Sequence, residues 1–169
     1  MKKLIVTLII FGAFVTTVNA QAEKYKALFI YNFTKHIEWP ASQKTGDFVV
    51  GVVGQNILVD KLIEVTNNKK VGNQNIVIQT YKSVNEITNC NIVVLGANNS
   101  TPKKLALVLQ KINSSTLVVS NGNNSATKGA TINFTIQNSK LKFELNNADA
   151  TKRQLKISTY LHNLAVIVG

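Results

Sequence analysis

Three short apolar runs constrain this chain more than anything else in it: FVVGVVG (Phe48–Gly54), NIVVLG (Asn91–Gly96) and TLVVSN (Thr116–Asn121). Each is rich in β-branched residues and lacks polar alternation, the pattern of a strand covered on both faces. Such a strand needs helices above and below its sheet, and stretches of helical periodicity lie between the runs. NILVDKLIEVTNN follows the first run. STPKKLALVLQKIN follows the second, with Thr101 as an N-cap and Pro102 at the first helical position. NIVIQTY (Asn75–Tyr81) reads as one more strand. Strands alternating with helices imply βαβ crossovers and a largely parallel sheet.

The two ends of the chain read differently. GATINFTIQ and KLKFELN alternate polar and apolar residues and are joined by Asn-Ser, which predicts an antiparallel hairpin. A long final helix is expected from about Ala148, capped by Asn147, with Asp149 in its first turn. Ile157, Tyr160, Leu161, Leu164, Ala165 and Val168 would form its apolar stripe. Near the other end, Tyr25, Leu28, Phe29, Phe33, His36 and Ile37 recur at helical spacing. That predicts a helix from Ala22 to Trp39, stopped by Pro40, which biases the preceding residue out of the helical region. The expected fold class is α/β: a three-layer sandwich with a mixed, mostly parallel sheet and a C-terminal antiparallel hairpin, flanked by N- and C-terminal helices.

Residues 1–20 stand apart from this pattern. Lys2 and Lys3 precede the apolar stretch LIVTLIIFGAFV, and VNA supplies small residues at Val18 and Ala20. These are the marks of an export signal cleaved after Ala20. Residues 21–169 are then expected to form one periplasmic domain. The leader holds two of the chain's 19 basic residues and none of its 8 acids, so the remainder carries 17 against 8, a net charge of +9. All of those cations but Arg153 are lysines, scattered along the chain and not interleaved with aromatics. Nucleic acid is therefore not the expected partner, and the charge favours anionic neighbours.

The residues that carry most chemistry do not assemble into a site at the level of sequence. His36, His162 and Cys90 show no metal-ligand spacing. There is no G-x-S-x-G elbow and no local pair of carboxylates. GVVGQN lacks both the remaining glycine of a dinucleotide loop and the Lys-Ser/Thr of a phosphate loop. No enzyme and no cofactor are expected. A small-ligand site at the carboxyl ends of the parallel strands is the fold-level alternative, lined by Gly54, Gln55, Gly96, Asn98, Ser120 and Asn121. Cys90, the single cysteine, has no intrachain disulfide partner, and its place before a buried strand predicts a buried thiol.

Taken together, ALFIYNFTKHIEWP, FVVGVVG, CNIVVLG, TLVVSN and the C-terminal hairpin with the segment after it resemble the YfiR-like family, in order and over nearly the whole chain after residue 20. The resemblance implies a non-enzymatic periplasmic repressor that binds the periplasmic sensory domain of an inner-membrane diguanylate cyclase, controlling cyclic di-GMP and biofilm formation. Related domains are attached to histidine kinases, so a sensor kinase is the other implied partner. Family members are often homodimers, and several carry paired cysteines whose oxidation state matters. Cys90 cannot form such a pair within the chain. His162 stands where the family usually has an apolar residue.

The stretch YNFTKHIEWP holds the only Trp, one of two His and one of two Pro. It reads first as a helix stop whose Trp covers apolar surface. Large aromatics are also favoured interface anchors, so Phe29, Tyr31 and Trp39 are the candidate partner-binding residues.

Overall fold

A computed structural model describes residues 21–54 and 56–169, so the expected leader and the candidate ligand residue Gln55 lie outside the described part. The chain runs through helix α1 (21–36), strands β1 (Ile37–Glu38) and β2 (Phe48–Val53), and helix α2 (Asn56–Thr66). Strands β3 (Lys70–Val71), β4 (Gln74–Tyr81) and β5 (Ile92–Leu95) follow, then α3 (Pro102–Lys111) and β6 (Leu117–Ser120). The hairpin β7 (Ile132–Gln137) and β8 (Lys140–Asn146) leads into α4 (Asn147–Lys152), β9 (Lys156–Ile157), α5 (Thr159–Leu164) and β10 (Val166–Val168). Among the described residues no helix is long and apolar enough to cross a membrane.

The main sheet has the order β10-β8-β7-β6-β5-β2-β4-β3. Strands β4, β2, β5, β6 and β7 run parallel, β8 is antiparallel to β7, and β10 is parallel to β8. The doubly apolar runs explain this centre. Val52, Val94 and Val119 point into one core, while Val53, Val93 and Val118 point into another. The first core is closed by α1, α2 and the C-terminal segment through Ile30, Phe33, Leu58, Leu62 and Leu161. The second is closed by α3 through Leu105 and Val108. Full burial of each such side chain contributes roughly 1.5–3 kcal/mol. The expected α/β class, the parallel centre and the hairpin are all present, and Thr101 caps α3 by accepting from the Lys104 N–H.

Helix α1 is turned from the expected orientation, although Phe33 of the expected stripe is buried and Phe29 packs against the core. Ala27, Ile30, Phe33 and Thr34 are buried, whereas Tyr25 is 49% exposed and Leu28 37%. Both stripes are apolar, so periodicity alone does not choose between them. Phe33, common to both faces, packs edge-to-face on Phe143 with centroids 5.2 Å apart, and Ala27 and Ile30 beside it complete the buried face. The helix also ends at His36, three residues before Trp39. Ile37 and Glu38 pair with Ile157 and Lys156 of β9 instead. Extended geometry turns Ile37 and Trp39 to the same side, and both are buried while Glu38 faces solvent.

The long C-terminal helix is not formed, and this is the main correction to the sequence reading. Helix α4 is six residues long, and its cap is Asn146, not Asn147: the Asn146 side chain accepts from the Asp149 N–H at 2.9 Å. Gln154, at φ 57°, breaks the helix. Ser158 then caps a second short helix by accepting from the Leu161 N–H. The β-branched Val166, Ile167 and Val168 add to the sheet beside Glu144, Leu145 and Asn146. Of the expected stripe, Leu161 is buried, while Tyr160 and Leu164 are exposed. An available cap at Ser158 and an open sheet edge for a β-branched run outweigh helical spacing here.

Candidate docking surface

The loops at the carboxyl ends of the parallel strands bond chiefly to one another. Gly54 adopts φ +74°, and a Cβ there would clash with Asn99 Nδ2, which donates to the Val53 carbonyl. Lys104 Nζ donates to the Asn98 carbonyl and to Asn99 Oδ1, both at 2.9 Å. Ser100 Oγ donates to the carbonyls of Leu95 and Gly96 and accepts from the Asn121 N–H at 3.1 Å. Ser120 Oγ donates to Asn133 Oδ1 at 2.9 Å. Gly96, Asn98 and Asn121 are thus tied to neighbouring loops through Ser100 and Lys104, Ser120 is bonded to β7, and Gly54 lies against Asn99. Asn121 also lines a polar cleft of about 670 Å³ beside β7.

The three aromatic candidates lie in different settings. Trp39 is a core side chain, 4% exposed. Its ring meets Phe48 edge-on at 4.9 Å, and Nε1 donates to the Asn91 carbonyl at 3.3 Å. It has little surface to offer a partner, because the extended Ile37–Trp39 segment turns it inward. Tyr31 is half-buried on α1 with Lys35 Nζ 4.1 Å above its ring. Phe29 is half-buried on the same helix and packs on Phe143 at 5.5 Å.

Phe29 belongs to an open apolar groove of about 580 Å³ between α1 and the β7–β8 hairpin. Tyr25, Ile136 and Leu141 line it with Phe29. Ile136 is 65% exposed, the most open large apolar side chain described. The hairpin reaches beyond the cover of the helices, so Ile132 and Phe134 are buried while Ile136, on the same side of the strand, is not. The sequence reading missed Ile136 and Leu141 and placed Tyr25 in the core. The alternation in INFTIQ marked Ile136 as apolar-facing but not that its face is uncovered. Lys140 sits on the groove's rim.

Among the described residues no group of three or more His, Cys, Asp or Glu could hold a metal ion. The His36 ring lies against that of Tyr160, with centroids 4.4 Å apart. Cys90 is buried, and its thiol is pushed up to about 12 by burial, against a weaker opposing hydrogen bond from the Gly51 backbone.

These features describe a mixed, mostly parallel α/β protein whose strand-end loops are tied to each other and whose surface presents an apolar groove. The family model for YfiR/HmsC-like proteins matches residues 23–166, and the chain belongs to that family, one of regulatory domains and not a known family of enzymes. No curated protein matched the chain.

Proposed function

We propose that this protein is an exported periplasmic regulator that acts by binding, not by catalysis. It docks on the periplasmic sensory domain of an inner-membrane diguanylate cyclase and holds it inactive, which places it in cyclic di-GMP and biofilm control. A sensor kinase is the second partner class that the same binding mode would serve. Membership of the YfiR/HmsC-like family carries this reading. Two features of the molecule support it. The Tyr25–Phe29–Ile136–Leu141 groove leaves apolar side chains uncovered, as docking sites do. The excess of cations, 17 against 8 acids after residue 20, favours an acidic partner surface.

The test is affinity capture of membrane proteins from solubilised envelope, with Ile136→Asp as the comparison. Recovery of a diguanylate cyclase or sensor kinase by the natural protein, and its loss with Ile136→Asp, is the expected result. Capture of neither enzyme, under conditions where a known envelope complex survives, would overturn the proposal.

A further inference from the structure

Strand β7 outruns its neighbour. β6 ends at Ser120, which pairs with Asn133, while β7 continues to Gln137. From Phe134 onward β7 is paired with β8 on one side, and no described strand lies on the other. The ladder determines what that open side presents. The Asn146 N–H donates to the Thr131 carbonyl at 2.9 Å, so the Thr131–Asn146 pair is a hydrogen-bonded one. By antiparallel alternation Asn133, Thr135 and Gln137 also turn their backbone groups toward β8, and Ile132, Phe134 and Ile136 turn theirs away. Ile132 confirms the parity, since its carbonyl accepts from Ser120 Oγ at 3.3 Å on the β6 side.

In the parallel ladder the Ser120–Asn133 pair is made by the Ser120 N–H on the Ile132 carbonyl and the Phe134 N–H on the Ser120 carbonyl, so the Phe134 C=O and the N–H and C=O of Ile136 are left facing the 670 Å³ cleft, which the Asn121–Asn124 loop also lines. These three backbone groups, in strand geometry that repeats every second residue at about 6.8 Å, are an unfilled rung of the sheet. Neither charge nor proline interrupts Phe134, Thr135 and Ile136. The loop after β6 is tied to the start of β7 through the Asn133 side chain, whose Oδ1 accepts from the Gly122 N–H at 3.0 Å while its Nδ2 donates to Glu144 at 2.8 Å. The apolar groove adjoins the cleft and shares Ala22, Ile136 and Leu141 with it.

We propose that the open edge of β7 accepts an extended segment of the partner protein as an added strand. This deepens the regulator reading and rests on it. The partner's main chain bonds to the Phe134 carbonyl and to the N–H and C=O of Ile136, and one of its alternate side chains enters the Tyr25–Phe29–Ile136–Leu141 groove. The expected segment is apolar at alternate positions and flanked by acidic residues, matching Lys140 at the rim and the chain's net positive charge. A second copy of this chain would bring the same positive charge and is disfavoured as the occupant.

The test uses short displayed peptides selected from a random library on the purified protein, then remeasured against two variants. Ile136→Pro removes the N–H that faces the cleft and leaves the β7–β8 ladder intact. Ile136→Ala removes the side chain and keeps the N–H. Circular dichroism and a thermal melt check that both fold. The selected peptides should alternate apolar residues with acids and lose affinity about tenfold with Ile136→Pro, and less with Ile136→Ala. N-methylation of the peptide should abolish binding at one parity of amides and be tolerated at the other. If Ile136→Pro does not fold, the parity result carries the test alone.

Three outcomes overturn the proposal. One is that no peptide is selected. Another is that binding is indifferent to Ile136→Pro and to methylation at either parity. The third is a dimer in sedimentation that Ile136→Pro converts to monomer, which gives the edge to a second copy. The two readings fail separately. If the envelope partner is captured equally by natural protein and Ile136→Pro, strand addition falls and the regulator stands. If no partner is captured, the regulator reading falls whatever the peptides do.

Discussion

Arg153 Nε lies 2.7 Å from Asp149 Oδ2, one turn earlier in the chain, and both side chains are about nine-tenths buried. The chain's only arginine also donates through Nη1 to the Thr116 carbonyl at 3.3 Å, at the entrance to β6. Asp149 Oδ2 accepts in addition from Thr131 Oγ1 at 2.6 Å, just before β7. The pair thus ties α4 to the starts of two neighbouring strands. Removing one partner strands the other as a buried charge, so Arg153→Met should cost about 3 kcal/mol in a urea titration. Replacing both with apolar residues, as Arg153→Met with Asp149→Leu, should recover part of that loss. A cost for the double variant equal to the sum of the two singles would show that the pair is not coupled.

Trp39 should behave as a core residue. Its ring is packed on Phe48 and hydrogen-bonded to Asn91, so Trp39→Ala is expected to destabilise the fold by about 3–5 kcal/mol. As the single tryptophan it also reports on folding directly, with emission that is blue-shifted in the folded protein and moves to the red across the same denaturant transition. Native emission already at the position of a solvated indole would contradict the burial.

Cys90 makes stability fall at high pH. Its thiol ionises at about 12 in the folded protein, where burial disfavours the thiolate, against an ordinary value of 9.0. The folded state therefore keeps a proton that the unfolded state gives up. This contribution is fully present below pH 9 and is lost between pH 9 and 12, on the order of 1.4 kcal/mol per pH unit inside that window. Subtracting the profile of Cys90→Ala isolates the effect from lysine and tyrosine titration. At neutral pH a thiol reagent should label the native protein only as fast as the protein unfolds.

The β7–β8 turn carries removable strain. Asn138 and Ser139 both have positive φ, 51° and 58°, as a two-residue hairpin loop of this hand requires. Asparagine tolerates that conformation, but serine is less suited to it. Ser139→Gly should raise stability by about 0.5–1 kcal/mol, the relief of left-handed strain less glycine's extra entropy. An unchanged or lower melting temperature would mean that the turn adopts another conformation in solution.

Much of the fold was legible in the sequence because its signals were local. The β-branched runs marked β2, β5 and β6, Thr101 with Pro102 marked the start of α3, and the two alternating segments marked the hairpin. Family membership was legible too, since it rests on the order of the same segments. The candidate docking surface was legible only in part. Phe29 was visible as an aromatic on a helix, but Tyr25 and Ile136 become surface residues only where helix and hairpin fail to cover each other. Trp39 read first as a side chain covering apolar surface and second as an anchor, and the turn of the backbone after His36 puts it inside.

By itself, then, the sequence determined the alternation of strand and helix, the parallel centre and the hairpin, because these follow from which residues repeat at which period. Tertiary structure alone decided the rest. It turned α1 so that Ala27 and Ile30 are buried beside Phe33 while Tyr25 and Leu28 are exposed, a choice between faces that satisfied the same period. It replaced a long final helix by α4, β9, α5 and β10, since a vacant place beside β8 and a partner for Ile37–Glu38 satisfied backbone groups that helical spacing could not foresee. It also left one side of the end of β7 without a neighbour among the described strands, because strand lengths are matched or mismatched only when strands are brought together. Period is a property of neighbours in the chain, whereas coverage is a property of neighbours in space.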